Sequence, residues 1–116
     1  MIEIHTPNPH RLVQEINEAI RNGRIATWTV DSDGDYTHSL EQWKNRAWLS
    51  CRFYDTIDST LLRFVIIEAR EQKLSKAVYG VYHGRFAEML LTHFDNQINS
   101  LSISPLLTQY DVYSKG

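Results

Sequence analysis

The sequence predicts an α+β fold of two layers, in which an antiparallel meander sheet carries an N-terminal helix and a long helix of the C-terminal half on one face. Three observations lead there. Leu12, Val13, Ile16, Ala19 and Ile20 recur at helical spacing. Between residues 24 and 69 several runs alternate apolar with polar side chains and are separated by turn residues. From Val78 to Phe94 the apolar spacing returns to a helical period. A run of strands flanked by helices is the order expected when helices gather on one face of an antiparallel sheet.

Ile2 and Ile4 alternate with Glu3 and His5, the pattern of a short edge strand. Asn8 can cap the first helix, and Pro9 suits its first position, where no amide donor is needed. Gly23 ends that helix. Arg24 to Asp31 reads as a strand with Ala26, Trp28 and Val30 sharing a face. Ser32-Asp33-Gly34-Asp35 is the turn of a tight hairpin, and Tyr36 to His38 continues as the second strand. Ser39 and Gln42 are spaced as a capping box, which predicts a short helical turn over Leu40 to Asn45.

Arg46 to Tyr54 is the third strand. Ala47, Leu49, Cys51 and Phe53 oppose Trp48, Ser50, Arg52 and Tyr54 across it. Asp55 to Thr60 turns the chain. Leu61 to Ala69 follows, with Leu62, Phe64 and Ile66 on one face and Val65 and Ile67 on the other, so this strand is expected to be central. Ser75 caps the long helix, which runs to near Asp95. Residues 77–83 are ambiguous. Val78-Tyr79-Gly80-Val81-Tyr82 has strand-like composition, and each glycine costs a helix about 1 kcal/mol. The unbroken apolar pattern through Phe94 decides for helix. Ile98 to Ser104 is the last strand, stopped by Pro105. Residues 1–116 form one α+β domain, with a tail over 105–116 expected to be loosely ordered.

Composition narrows the function classes. Twelve Lys and Arg face 14 Asp and Glu, for a net charge of −2, and no basic run stands out. Phosphate neutralisation drives non-specific nucleic-acid affinity, so a nucleic-acid partner is not favoured. No stretch is long enough to span a membrane, and Met1 to Pro9 lacks a signal-like segment. The single cysteine, Cys51, has no intrachain partner, which fits a reducing cytoplasm. In a strand-like run it reads as a buried thiol rather than a nucleophile.

Several residues are candidates for chemistry or contact. Asp31, Asp33 and Asp35 around Gly34 suggest a calcium loop, with Glu41 further on. The glycine precedes the third aspartate, so the loop pattern fails and a hairpin turn is the better reading. His38, His83 and Arg85 would suit metal-independent phosphodiester cleavage if they converged. His83 and Arg85 point about 200° apart on a helix, which weighs against that. His93 falls on the apolar face and is expected in the core. Trp28, Trp43 and Trp48 read as core or interface packing before a ligand wall.

The long helix also carries a row of small residues at spacings of three and four: Ala77, Gly80, Gly84 and Ala87, followed by Leu91. Such a row lets a second backbone come close, either the first helix or a second subunit. Trp48, Val65 and Ile67 project from the sheet face opposite the helices and call for a cover. With Gly80 and Gly84 they are the interface candidates. The leading expectation is a small non-enzymatic cytoplasmic protein that binds another protein or itself, as a homodimer, with no cofactor and no metal. The alternatives are a small metal-independent enzyme using His38, His83 and Arg85 on a phosphate-bearing substrate, and a small-ligand binding protein lined by tryptophans.

Overall fold

A computed structural model describes residues 1–53 and 60–114 of the chain. The elements run β1 (Ile2–His5), α1 (Pro9–Arg21), β2 (Trp28–Val30), β3 (Asp35–His38), β4 (Ala47–Phe53), β5 (Leu61–Glu68), α2 (Lys76–His93), a 3-10 turn (Asp95–Gln97) and β6 (Ser100–Ile103). The strands form one antiparallel sheet in the order β2-β3-β4-β5-β1-β6. The expected two-layer α+β architecture is present.

Local chemistry explains most boundaries. The Asn8 side chain accepts from the Arg11 amide at 3.1 Å, Pro9 opens α1, and Gly23 follows its end at φ +85°. Ser75 accepts from the Val78 amide at 3.1 Å and starts α2, so residues 77–83 are helical. Gly34 at φ +83° makes the β2–β3 hairpin. The Asp31 carboxylate tightens that turn by accepting the Asp33 and Asp35 amides at 2.9 and 3.0 Å.

The core lies between the sheet and both helices. Ile2, Ile4, Leu49, Leu62, Phe64 and Ile66 meet Leu12 and Ile16 of α1 and Tyr82, Phe86 and Leu90 of α2. Phe86 is its hub, with ring centroids 4.8 Å from Phe64, 5.0 Å from Trp28 and 5.3 Å from Tyr36. Cross-strand neighbours share faces as the alternation predicts: Leu49 opposes Ile66, Cys51 opposes Phe64, and Trp48 opposes Ile67 on the far side.

Other expectations are corrected. β1 is not an edge strand; it lies between β5 and β6 and is paired on both sides. β2 is shorter than expected, because Ile25 turns inward and its amide bonds the Ala19 carbonyl at the end of α1. Residues 40–44 do close a helical turn, through the Trp43 and Lys44 amides on the Leu40 carbonyl. Its capping box does not form, and the Ser39 hydroxyl finds no partner among the described residues. His93 is exposed. α2 ends there, and Phe94 leaves the helix to fill the core position that the periodicity gave to His93. The turn expected over residues 55–60 lies, apart from Thr60, outside the described residues. So does Tyr54.

The tail is not loose over the part described. The Val112 amide and carbonyl bond Ile66 and Glu68 at 2.9 and 2.8 Å, taking the edge of β5 that the shorter β1 leaves open. Asp111 turns its carboxylate inward. One oxygen accepts the Ile66 amide at 3.0 Å, and the other accepts the Thr108 amide at 2.7 Å and the Thr108 hydroxyl at 3.0 Å.

Candidate functional site

The sequence candidates fall into separate places. His83 is buried on the side of α2 that meets the N-terminus. Its Nδ1–H donates to the Tyr79 carbonyl at 2.7 Å, and its Nε2 accepts from the Met1 ammonium at 2.9 Å. That ammonium also donates to the Tyr79 hydroxyl at 3.1 Å and lies 3.9 Å from the Asp111 carboxylate. The Tyr79 hydroxyl donates in turn to the Ser104 carbonyl. Burial first, then the adjacent ammonium, pulls the His83 imidazole down to about 4. Burial likewise lowers the α-amino group, against the opposing pull of Asp111 and Glu3. His83 is thereby committed to holding the N-terminus, α2 and the tail together.

His38 and Arg85 do share a cleft, of about 160 Å³, with Thr27, Trp28, Glu88, Met89, Thr92 and His93. His38 is 1 % exposed, and its Nδ1 accepts the Leu40 amide at 3.1 Å. The ring proton therefore sits on Nε2. Burial, and secondarily Arg85, keeps the imidazole below its ordinary pKa and neutral. His83 lines no part of this cleft, so the three candidates do not converge. The cleft also falls short of the several hundred Å³ usual for a substrate pocket.

The tryptophans do not wall a pocket together. Trp28 is buried in the core and Trp43 packs against the core's edge, while Trp48 lies half-buried on the opposite face. The Asp31, Asp33 and Asp35 carboxylates approach within 4.8 Å of one another, but Asp31 already serves the two turn amides. Burial, ahead of the neighbouring Asp31 and Asp33, raises the Asp35 carboxyl. Cys51 is half-buried, and burial pushes its thiol up, away from nucleophilic use.

The interface candidates divide too. Val65 is 0 % exposed within a single chain, so it needs no partner to cover it. Trp48 and Ile67 are half-buried, and Tyr110 of the tail lies on the same side, its ring 4.6 Å from the Arg63 guanidinium carbon. Gly80 and Gly84 are exposed, with nothing among the described residues within 4 Å of the place a Cβ would take. The close packing of α1 on the small-residue row is absent.

Sequence reading missed a different surface. From Asn96 to Tyr110 no residue carries a charge, in a chain where 22 % of residues do. This stretch supplies β6, the outermost strand, and the start of the tail. Beside it lies a mostly apolar groove of about 490 Å³ lined by Leu74, Tyr79, Pro105, Leu106 and Leu107, with Lys76 as its one charged residue. Leu106 is 75 % exposed at its rim, and Ile103 on β6 is 40 % exposed. The uncharged run was legible in the sequence. Its outward position was not, because the tail's path depends on Asp111 and Tyr79 contacts far away in the chain.

Comparisons with protein-family models, curated proteins and solved structures found no match. Among the described residues no helix is long and apolar enough to cross a membrane.

Proposed function

We propose that the protein acts by binding another polypeptide through the sector formed by β6, the uncharged start of the tail and the first turns of α2, where Lys76 is the one charged side chain lining the groove. The observation that carries this reading is the apolar groove of about 490 Å³ with Leu106 exposed at its rim. Protein surfaces that face only water intersperse charges. An apolar rim beside a groove is the kind of site that accepts an anchoring side chain from a partner. The enzyme alternative loses support because His83 is engaged elsewhere than His38 and Arg85. A cytoplasmic setting accompanies the reading, on the strength of the lone, half-buried Cys51.

The test is affinity capture with matched baits: the unaltered chain, Leu106→Glu, and Leu40→Glu as a control at another exposed leucine. A protein held by the first and third baits but lost by the second is expected. Its purified form should bind Leu106→Glu at least about tenfold more weakly by calorimetry. Equal binding to Leu106→Glu overturns the proposal.

A second reading keeps the small cleft. A neutral His38 with Nε2–H beside Arg85 offers donors to a small oxyanion. Millimolar phosphate should then raise the melting temperature of the unaltered chain but not of Arg85→Ala. No rise in either removes this reading.

A further inference from the structure

We infer that the free edge of β6 pairs with the same strand of a second copy, antiparallel about a two-fold axis at Ser102. The inference rests on reading this sector as a contact surface, and it names one partner for it.

The backbone sets which groups are available. The Ser104 amide donates to the Met1 carbonyl at 2.9 Å, in line with the register that places Ile103 opposite Ile2. In an antiparallel ladder alternate residues point both backbone groups to the same neighbour. Ser102 and Ser104 therefore face β1, while Leu101 and Ile103 turn their N–H and C=O outward. Among the described residues no strand lies on that side.

The side chains then select the register. Leu101 and Ile103 lie on the helix-bearing face, opposite Ile4 and Ile2, and Ser100 and Ser102 lie on the other, opposite His5 and Glu3. Directly paired residues must share a face, so a two-fold pairing has to centre on a residue. Centred on Ser102, Leu101 faces the partner subunit's Ile103, Ser100 faces the partner subunit's Ser104, and every outward amide of the strand is used. Centred on Leu101, Ile103 would face the partner subunit's Asn99. Centred on Ile103, Leu101 would face the partner subunit's Pro105, which has no amide to give. Only the register at Ser102 gives both Leu101 and Ile103 an apolar partner with an amide to share, while keeping serine opposite serine.

The two ends of the sheet support the choice. β2, at one end, is three residues long and runs into Asp31, Asp33 and Asp35, as edges that avoid pairing do. β6 and its flanks carry no charge from Asn96 to Tyr110, and Pro105 lies outside the strand. Pairing would join two six-stranded sheets into one and cover the half-buried Leu101 and the exposed Ile103 with each other.

The test uses the full chain. Light scattering over rising concentration should show a monomer passing to a dimer. In a Cys51→Ala background, Ser102→Cys should give a disulfide-linked dimer on mild oxidation, because centred non-hydrogen-bonded partners bring Cα atoms to about 4.5 Å. Ser100→Cys alone should not cross-link. Ile103→Pro removes an amide that points away from β1, and it should weaken the dimer about tenfold or more with the circular dichroism unchanged. If that variant fails to fold, Ile103→Lys, which adds an edge charge, must weaken the dimer instead. A monomer at every concentration, or a dimer in which Ser102→Cys does not cross-link, overturns the inference. Loss of a protein partner by Leu106→Glu in a chain that stays monomeric would sink this pairing and leave the broader reading standing.

Discussion

Gly84 weakens the helix that contains it, and no neighbouring atom among the described residues explains its presence. With open space where a Cβ would go, Gly84→Ala should stabilise the fold by about 1 kcal/mol, or about 3 °C in melting temperature. An unchanged or lowered melting temperature would reveal a contact that the folded chain does not display. His83 makes a second claim, on pH. Its imidazole is held at about 4 against an ordinary 6.5, so the unfolded chain binds the extra proton first as pH falls. Stability from this residue is complete above pH 6.5 and is lost as pH falls through about 4. The sign is the same for the lowered α-amino group. Thermal melts should fall steeply between these pH values, by about 3 kcal/mol in linkage terms, and His83→Gln should flatten the slope. A slope unaltered by that substitution would move the acid sensitivity elsewhere.

Secondary elements were legible wherever a local device marks them. Asn8-Pro9 with Gly23, Asp33-Gly34 and Ser75 each act within one turn of their own position, and each boundary falls near where those residues put it. His93 shows the limit of periodicity. Helical spacing says which way a side chain points but not where the sheet beneath it ends, and α2 stops just there. The tail was illegible for a different reason. Polar, proline-interrupted sequence normally lacks the buried surface to hold itself, and this one is held by the Asp111 carboxylate, the Val112 backbone and the Tyr79 hydroxyl, whose partners lie far away in the chain. Asp111→Ala should therefore leave the buried Ile66 amide unpaired and cost about 2–3 kcal/mol. Hydrogen exchange should quicken across residues 104–114 before the rest of the chain. Uniform protection throughout would mean the Val112 ladder suffices alone.

Across the molecule, α2, the N-terminus and the tail meet at one knot of Met1, Tyr79, His83 and Asp111. None of its members signals the others in the sequence, which is why His83 read as a catalytic candidate. Since the knot joins distant parts, removing residues 105–116 should lower the melting temperature of the whole domain instead of trimming a passive end. Circular dichroism and tryptophan fluorescence should still melt together; a truncated chain with unaltered melting would separate the tail from the fold. The placement of β1 has a kinetic consequence. Its partners are residues 61–64 on one side and 100–103 on the other. The β2–β5 meander can zip from neighbour to neighbour, but the first strand must wait for loops of some sixty and a hundred residues to close. A chain still emerging from the ribosome therefore holds Ile2 and Ile4 unpaired until β5 has followed, and paired on one side alone until β6 has. Refolding should be rate-limited by that docking, so mutations in β1 should slow refolding at least as much as they speed unfolding.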